Sequence, residues 1–393
     1  MNPPSHHTPA RIYLDNAATS WPKPPAVYDA VDRYQRDCGA PAGRGTYSHA
    51  QQAAQVVASA RSASARVLGI QDARRIAFTG NGTDALNLAI HGLLQHGDHV
   101  VTTVCEHNSV LRPLAAQRQR HNVEVSYVDC DADGRIDPGA FRQALRPDTR
   151  LAIVSHASNV TGAVQPIAEI AEVVHEQRAL LLVDAAQTAG CLPLAAEKLG
   201  IDLLATGGHK GLLGPLGTGI LYVRAGLEAQ VQAVRQGGTG TQSQTDSQPR
   251  EMPARFEAGN LNVPALAGLA AAVTYLEQHS VAAIHLQIAE RSGQLWEGLC
   301  GIDHVKVIGP DPCQPRVGVV SCRVEGYDPQ EVAAGLDASA GIQCRAGLHC
   351  APRMHQALGT DRDGGLIRFS PGWSTTQEEI DNTLNALRAL ATG

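Results

Sequence analysis

Two residues of opposite charge follow apolar runs that are typical of buried strands. Asp184 ends the run LLLVD (180–184), and Lys210 lies just beyond DLLATGG (202–208), in the stretch TGGHKGLLGP. A charge among apolar residues is costly unless an opposite charge or a ligand meets it. The two residues could form a plain salt bridge, or they could bind opposite ends of one ligand.

A glycine-rich turn adds a third group. FTGNGTDALNLAI (78–90) runs from a predicted strand into a predicted helix, with Gly82 and Thr83 at the turn. Backbone N–H groups at a helix N-terminus suit a phosphate, and an ordinary capped turn is the alternative. The stretch matches neither common nucleotide-binding glycine motif. A phosphate turn, a strand-end Asp and a lysine together favour pyridoxal 5'-phosphate (PLP), whose aldehyde takes a lysine amine and whose ring nitrogen takes an acid.

The elements that must position these residues alternate between strand and helix. Helical patterns such as 83–95 and 167–178 lie between short apolar, β-branched runs. Such alternation predicts an α/β fold with a mostly parallel central sheet of seven strands, covered by helices on both faces. Ligands bind at the carboxyl ends of such strands. The seven predicted strands are 75–80, 99–104, 123–129, 150–158, 179–186, 202–208 and 218–224.

The length of 393 residues favours two packed domains. The pattern changes after residue 265, where a long helical segment leads into an apolar run at 317–326 and a terminal helix at 375–391. We predict a large PLP-binding domain at 26–265 and a smaller α+β domain at 266–393. The N-terminal segment 1–25 is expected to pack with the small domain.

Composition limits the classes of partner. The net charge is -6, with 43% apolar and 18% charged residues, which gives no reason to expect nucleic acid or an anionic membrane. No uncharged apolar run reaches the roughly 18 residues that span a bilayer, and the first residues do not resemble a secretory signal. Nine scattered cysteines without a CxxC pair disfavour a disulfide scaffold or a structural zinc site. We expect a cytoplasmic protein without a metal that acts on a small molecule.

Several motifs occur in an order that resembles class V aminotransferase-fold enzymes. Within them, the chain is similar to cysteine desulfurases and selenocysteine lyases that carry RxGxHCA near the C-terminus. The resemblance implies the aspartate aminotransferase-like PLP transferase fold (fold type I), with PLP as cofactor. The motifs are YLDNAATSWPKP (13–24), EHNSVLRPL (106–114), SHASNVTGAVQPI (155–167), LLVDAAQ (181–187), GHKGLLGPLGTGILY (208–222), RFEAGNLN (255–262), CRAGLHCAPRMHQALGT (344–360) and IRFSPGW (367–373).

The same resemblance implies the reaction and its residues. Lys210, Cys350 and His107 are the expected catalytic residues, for a reaction that converts L-cysteine to L-alanine and leaves a persulfide on Cys350. Arg368, Asn159 and Ala17 are the expected substrate-binding residues, and a guanidinium fork suits a carboxylate. The expected cofactor-binding residues are Lys210, Asp184, Gln187, His107, Asn159, Gly82, Thr83, His209, Thr206 and Asn260.

Cys350 differs from the other cysteines in its surroundings. Free cysteines are commonly small apolar core residues. Cys350 instead lies in the loop RAGLHCAPR (345–353), where Arg345, Arg353 and His349 would favour the thiolate. A metal site with His349 and His355 is the alternative, and it lacks a fourth ligand.

Some positions depart from the family pattern. Gly207 and Asn260 stand where relatives carry phosphate-binding hydroxyls, so the phosphate could be held more weakly, or Thr206 and the Asn260 amide could compensate. Tyr47 and Thr375 replace a His and an Asn near the substrate. A selenocysteine or modified-cysteine lyase, β-elimination, transamination or racemisation therefore stays open as the reaction.

The resemblance also implies partners. A homodimer is expected, with the FEAGN loop reaching the phosphate of the other protomer, and isologous dimers are the commonest oligomers. A small thiol or a protein is expected to accept the sulfur.

Overall fold

The computed structural model describes residues 11–43, 45–240 and 244–391. Residues 1–10 of the predicted N-terminal segment lie outside this range. No helix within the described ranges is both long and apolar enough to cross a bilayer.

A seven-stranded sheet forms the centre of the fold, as predicted. Its strands are β2 (Ile76–Thr79), β3 (His99–Thr103), β4 (Glu124–Val128), β5 (Thr149–Ser155), β6 (Leu180–Asp184), β7 (Leu203–Gly207) and β8 (Gly219–Val223). Their spatial order is β2-β8-β7-β6-β5-β3-β4. Strands β3 to β7 pair in parallel, whereas β8 runs antiparallel to both of its neighbours, β2 and β7.

Helices cover both faces of this sheet. Because side chains alternate along a strand, Val183 packs in one apolar core, while its neighbour Leu182 packs in a second core on the opposite face. The helices of this part are α1 (Pro25–Asp37), α2 (Ser48–Val67), a short 3-10 helix (Ala73–Arg75), α3 (Gly82–Leu93), α4 (Asn108–His121), α5 (Pro138–Ala144), α6 (Ile167–Glu176) and α7 (Val263–His279).

A smaller antiparallel sheet follows in the chain, with the order β12-β13-β10-β9. Its apolar face packs on Leu295, Leu336 and Leu387 from three helices. Strand β1 (Ile12–Tyr13) pairs in parallel with β11, which joins the described N-terminal residues to this part. The remaining elements are α8 (Val281–Cys300), β9 (Val305–Ile308), β10 (Val320–Val324), α9 (Pro329–Ala340), β11 (Ile342–Gln343), β12 (Arg345–Gly347), α10 (Pro352–Ala357), β13 (Leu366–Phe369) and α11 (Gln377–Ala391).

The division into domains stays a prediction. Helix α7 begins before the proposed boundary after residue 265, so the boundary falls inside this helix. Helix α7 packs on α1 and α2, which belong with the seven-stranded sheet. A boundary after α7 would leave this packing intact.

Candidate active site

A cavity lies at the carboxyl ends of β5 and β6 and the start of α3. Eight of the ten cofactor residues expected from the sequence line it. These are Lys210, Asp184, Gln187, His107, Asn159, Gly82, Thr83 and His209. The topology therefore brings together residues from five different segments of the chain at one sheet edge.

Asp184 and Lys210 face this cavity with poorly compensated charges. Burial raises the pKa of Asp184. The Ala186 N–H, which donates to Oδ1 over 2.9 Å, and the Lys210 charge both lower it. Burial lowers the pKa of Lys210. The Asp184 carboxylate raises it, whereas the charges of Arg368 and Arg345 lower it further. The ion pairs among the described residues do not join Asp184 to Lys210. Asp184 and Lys210 therefore do not form a salt bridge with each other, which leaves both groups available to a ligand.

The start of helix α3 offers a cradle for an anion. Asn81 caps the helix by accepting from the Asp84 N–H over 2.8 Å, and the N–H groups of a first helical turn lack intrahelical partners. A Cβ on Gly82 would lie 3.1 Å from the Gly207 nitrogen, so the two glycines permit close approach of the backbones. Across the cavity, His209 has a buried Nδ1 without a hydrogen-bond partner in the described part of the chain. These features fit a phosphate group.

Ser109 is a cavity residue that the sequence reasoning missed. Its hydroxyl lies 2.7 Å from Thr83 Oγ1 and 2.8 Å from His107 Nδ1. It supplies a hydroxyl in a cavity where Gly207 has none. Its position two residues after His107 in EHNS, at the start of α4, was the available signal.

His107 is held as a neutral ring with a defined tautomer. Burial lowers its pKa to about 4, and the nearby Lys210 charge adds to this. The Ser109 N–H donates to Nδ1 over 3.0 Å, so the proton of the neutral ring lies on Nε2.

Thr206 and Asn260 are not brought to the cavity. The Thr206 side chain is fully buried, and its hydroxyl donates to the Ala185 carbonyl over 3.3 Å. Side chains alternate along a strand, so Thr206 points to the opposite face from Gly207. Asn260 is exposed and does not line the cavity. Neither residue replaces the missing hydroxyls within this chain.

Arg368 on β13 is buried behind Asn159, lines neither this cavity nor the adjoining one, and has an unused donor. Nη2 donates to Asp15 Oδ1 over 2.6 Å and Nη1 donates to the Asn159 carbonyl over 3.1 Å. Nε is buried without a partner among the described residues. Ala17 lines an adjoining, largely apolar cavity that shares Lys210 and Gln187 with the first. A carboxylate near Arg368 would satisfy the free Nε–H.

The loop that carries Cys350 is tied to the cavity through its backbone. The Asn108 N–H donates to the Cys350 carbonyl over 2.7 Å, and Asn159 Nδ2 donates to the His349 carbonyl over 2.7 Å. His349 and Cys350 have φ values of 49° and 58°, a conformation that non-glycine residues seldom adopt. Such strain persists only where surrounding contacts impose it, and it is common at functional sites.

One of the three expected basic neighbours contacts the Cys350 thiol. Arg345 Nη2 donates to Sγ over 3.3 Å. The Arg353 guanidinium instead lies 3.7 Å from the centre of the Tyr127 ring. His349 Nδ1 lies 3.4 Å from the Nε2 of His355.

The His349–His355 pair does not extend to a metal centre. Over the residues that the structure describes, no group of three or more His, Cys, Asp or Glu side chains could hold a metal ion.

These observations fit PLP at the first cavity. An anion cradle, a buried lysine amine and a buried carboxylate are the three groups that this cofactor requires. The fold and the site thus define an α/β enzyme of the PLP-dependent class.

The chain belongs to the class V aminotransferase family, because the family model Aminotransferase class-V matches residues 12–383. It is 35% identical to a probable cysteine desulfurase of Methanothermobacter thermautotrophicus, over 97% of this chain and 94% of that protein.

Solved structures agree with this assignment. The apo structure of a cysteine desulfurase from Thermococcus onnurineus NA1 matches with a TM-score of 0.91 and 32% identity, over 98% of this chain and 95% of the other. A lysine-to-alanine mutant of C-DES, with glycine covalently linked to the PLP cofactor, matches with a TM-score of 0.81 and 25% identity, over 96% of each chain.

Proposed function

We propose that this chain is a PLP-dependent cysteine desulfurase that converts L-cysteine to L-alanine and transfers the sulfur to Cys350. The observation that carries the proposal is the placement of Cys350. Its thiol accepts a hydrogen bond from Arg345, and its loop is bound through the backbone to Asn108 and Asn159 beside the cavity. A structural cysteine in the core would need neither contact.

Residues around the first cavity would hold the cofactor. Lys210 would bond to its aldehyde, Asp184 would pair with its ring nitrogen, and His107 would cover its ring. When bound, PLP withdraws electrons from the Cα and Cβ of the amino acid attached to it. Gly82, Thr83, Ser109 and His209 would contact its phosphate, and Asn159 and Gln187 would contact the side of the phenolic oxygen.

Three groups would bind the substrate or move its protons. Arg368 would bind the carboxylate through its free Nε–H, next to Asn159 and Ala17. Burial lowers the pKa of Lys210, which favours a neutral amine that can take and return a proton at the substrate Cα. His107 would carry its proton on Nε2, since Ser109 occupies Nδ1.

Cys350 would complete the sulfur transfer. Its thiolate attacks the substrate sulfur, so an S–S bond forms while the bond between Cβ and sulfur breaks. The electron pair of the broken bond stays with the carbon fragment, which becomes alanine after protonation at Cβ. The sulfur remains as a persulfide on Cys350, and no external oxidant is required.

We also propose a cytoplasmic homodimer that passes its sulfur to a thiol or protein acceptor. All nine cysteines are free, which suits a reducing compartment. In this proposal a second protomer would cover exposed large side chains such as Tyr28, Tyr47 and Leu216. Asn260 is also exposed and would serve the phosphate of the partner protomer.

Replacement of Cys350 tests the proposed reaction. In Cys350→Ser, we expect alanine formation from L-cysteine to fall at least about 100-fold, because the attacking sulfur is lost. The visible absorbance of bound PLP should stay, since the cavity residues are unchanged. Cys300→Ser, at an exposed position at the end of α8, is the matched control and should behave like wild type. Alanine formation at the wild-type rate by Cys350→Ser would rule the persulfide reaction out.

A further inference from the structure

The carbonyl oxygen of His209, immediately before Lys210, receives hydrogen bonds from three residues of the N-terminal segment. The Ser20 N–H donates over 3.0 Å, and the hydroxyls of Ser20 and Thr19 approach to 3.2 and 3.1 Å. The Lys23 ammonium makes the shortest contact, at 2.7 Å, and also donates to Ser20 Oγ over 2.7 Å. Four donors from one segment thus converge on a single acceptor.

This carbonyl belongs to the peptide bond that leads into Lys210. Because a peptide bond is planar, fixing its oxygen also fixes the nitrogen and Cα of the next residue. Strand β7 ends at Gly207, and Gly207 and Gly208 precede His209, so this turn has little side-chain packing of its own. Backbone hydrogen bonds hold the residues on either side, from the Gly208 N–H to the Thr218 carbonyl and from the Leu213 N–H to the Lys210 carbonyl. The contacts to the N-terminal segment add an anchor at the peptide bond between them, the one that leads into Lys210.

A lysine at position 23 is not explained by its local surroundings. It lies just before helix α1, where the positive end of the helix disfavours a cation. Burial lowers its pKa to about 8, and the described residues offer its ammonium no carboxylate partner. The chain otherwise relies on arginine, since only four of its 32 basic residues are lysines: Lys23, Lys198, Lys210 and Lys306.

We infer that Lys23 is a positioning residue for Lys210: its ammonium anchors the His209 carbonyl and so holds the Lys210 backbone in the orientation that bonds to PLP. The inference rests on the proposed role of Lys210 and adds the N-terminal segment to the cofactor site. Lys23 itself touches neither the substrate nor the reacting atoms.

The test compares Lys23→Met, Lys23→Arg and the control Lys306→Met, which removes an exposed lysine from β9. Each apo-protein is mixed with PLP, and the appearance of the visible band of the lysine-bound cofactor is followed. Lys23→Met should form the bond about tenfold more slowly, because one charge-assisted hydrogen bond is lost. Lys23→Arg should recover most of the rate, since the guanidinium keeps the charge and the donors.

A second readout separates positioning of Lys210 from a general loss of structure. Inorganic phosphate competes with PLP for the anion cradle at α3, and its inhibition constant should change much less in Lys23→Met than the rate of bond formation, because Lys23 reaches the cradle only through His209. A wild-type rate of bond formation, an equally slow Lys23→Arg, or a loss of phosphate competition as large as the loss of rate would each overturn the inference. Borohydride fixation with mass analysis identifies the bonded lysine in wild type. If Lys210 is labelled while Lys23→Met reacts normally, only this inference fails; if Lys210 is not labelled, the proposed function fails as well.

Discussion

Arg368→Lys tests whether the buried guanidinium binds the substrate carboxylate. The arginine side chain is 1% exposed, and its Nη groups already bind Asp15 and the Asn159 carbonyl, which leaves Nε as an unused buried donor. A lysine keeps the positive charge and can still reach Asp15, but it has no second nitrogen in a planar fork. The substitution therefore removes the donor proposed for the substrate and retains the ion pair.

The size of the effect follows from the lost contact. A hydrogen bond to a charged group contributes about 1.5–3 kcal/mol, which corresponds to about 10- to 150-fold in affinity. We expect the KM for L-cysteine to rise by this factor, while kcat changes much less because Arg368 does not contact the reacting atoms. The control is Arg323→Lys, on the neighbouring strand β10, where the wild-type guanidinium lies 3.0 Å from Asp363.

Cysteamine, which is cysteine without its carboxylate, makes the assay specific. Its inhibition constant against L-cysteine is measured in both proteins. In wild type, L-cysteine should bind more tightly than cysteamine, and in Arg368→Lys this preference should shrink about 10- to 150-fold. An equal loss of affinity for both ligands would refute a role for Arg368 in binding the carboxylate.

Two buried carboxylates give predictions for stability. Burial raises the pKa of Glu106 to about 7 from 4.5, so its contribution to stability, complete below 4.5, is lost as the pH rises through 7. The unfolding free energy of Glu106→Gln, measured in urea, should therefore rise relative to that of wild type by on the order of 3 kcal/mol between about pH 5 and about pH 8. Parallel pH profiles of the two proteins would contradict this. Glu257 binds Arg61 over 2.7 Å and accepts from the Phe78 N–H over 2.7 Å. Glu257→Gln should cost about 3–5 kcal/mol of unfolding free energy, whereas a loss below about 1 kcal/mol would show a weak pair.

The central sheet could be predicted because its strands are short, nearly continuous apolar runs. Each of the seven predicted strands is present, with ends displaced by up to three residues. The antiparallel direction of β8 was not predictable, since a buried strand has the same pattern in either direction. The small sheet was mostly missed because strands such as β12 (Arg345–Gly347) are too short to show periodicity.

Site residues could be predicted where a chemical group stands next to a strand end or a turn. Asp184 and Gly82 are such cases, and both line the cavity. Ser109 was missed because a serine in the first turn of a helix is ordinarily a capping residue. The orientation of Thr206 follows from strand alternation relative to Gly207, so the sequence contained that signal. The contacts of Lys23 join residues 186 positions apart, which no local pattern reveals.

Mass analysis of the borohydride-reduced protein tests the central claim most directly. The purified chain is supplied with PLP, reduced and digested, and the modified peptide is sequenced. We expect a reduced pyridoxyl group on Lys210 and on no other lysine. A protein that takes up no cofactor, or that carries the group on Lys23, Lys198 or Lys306, would contradict the account.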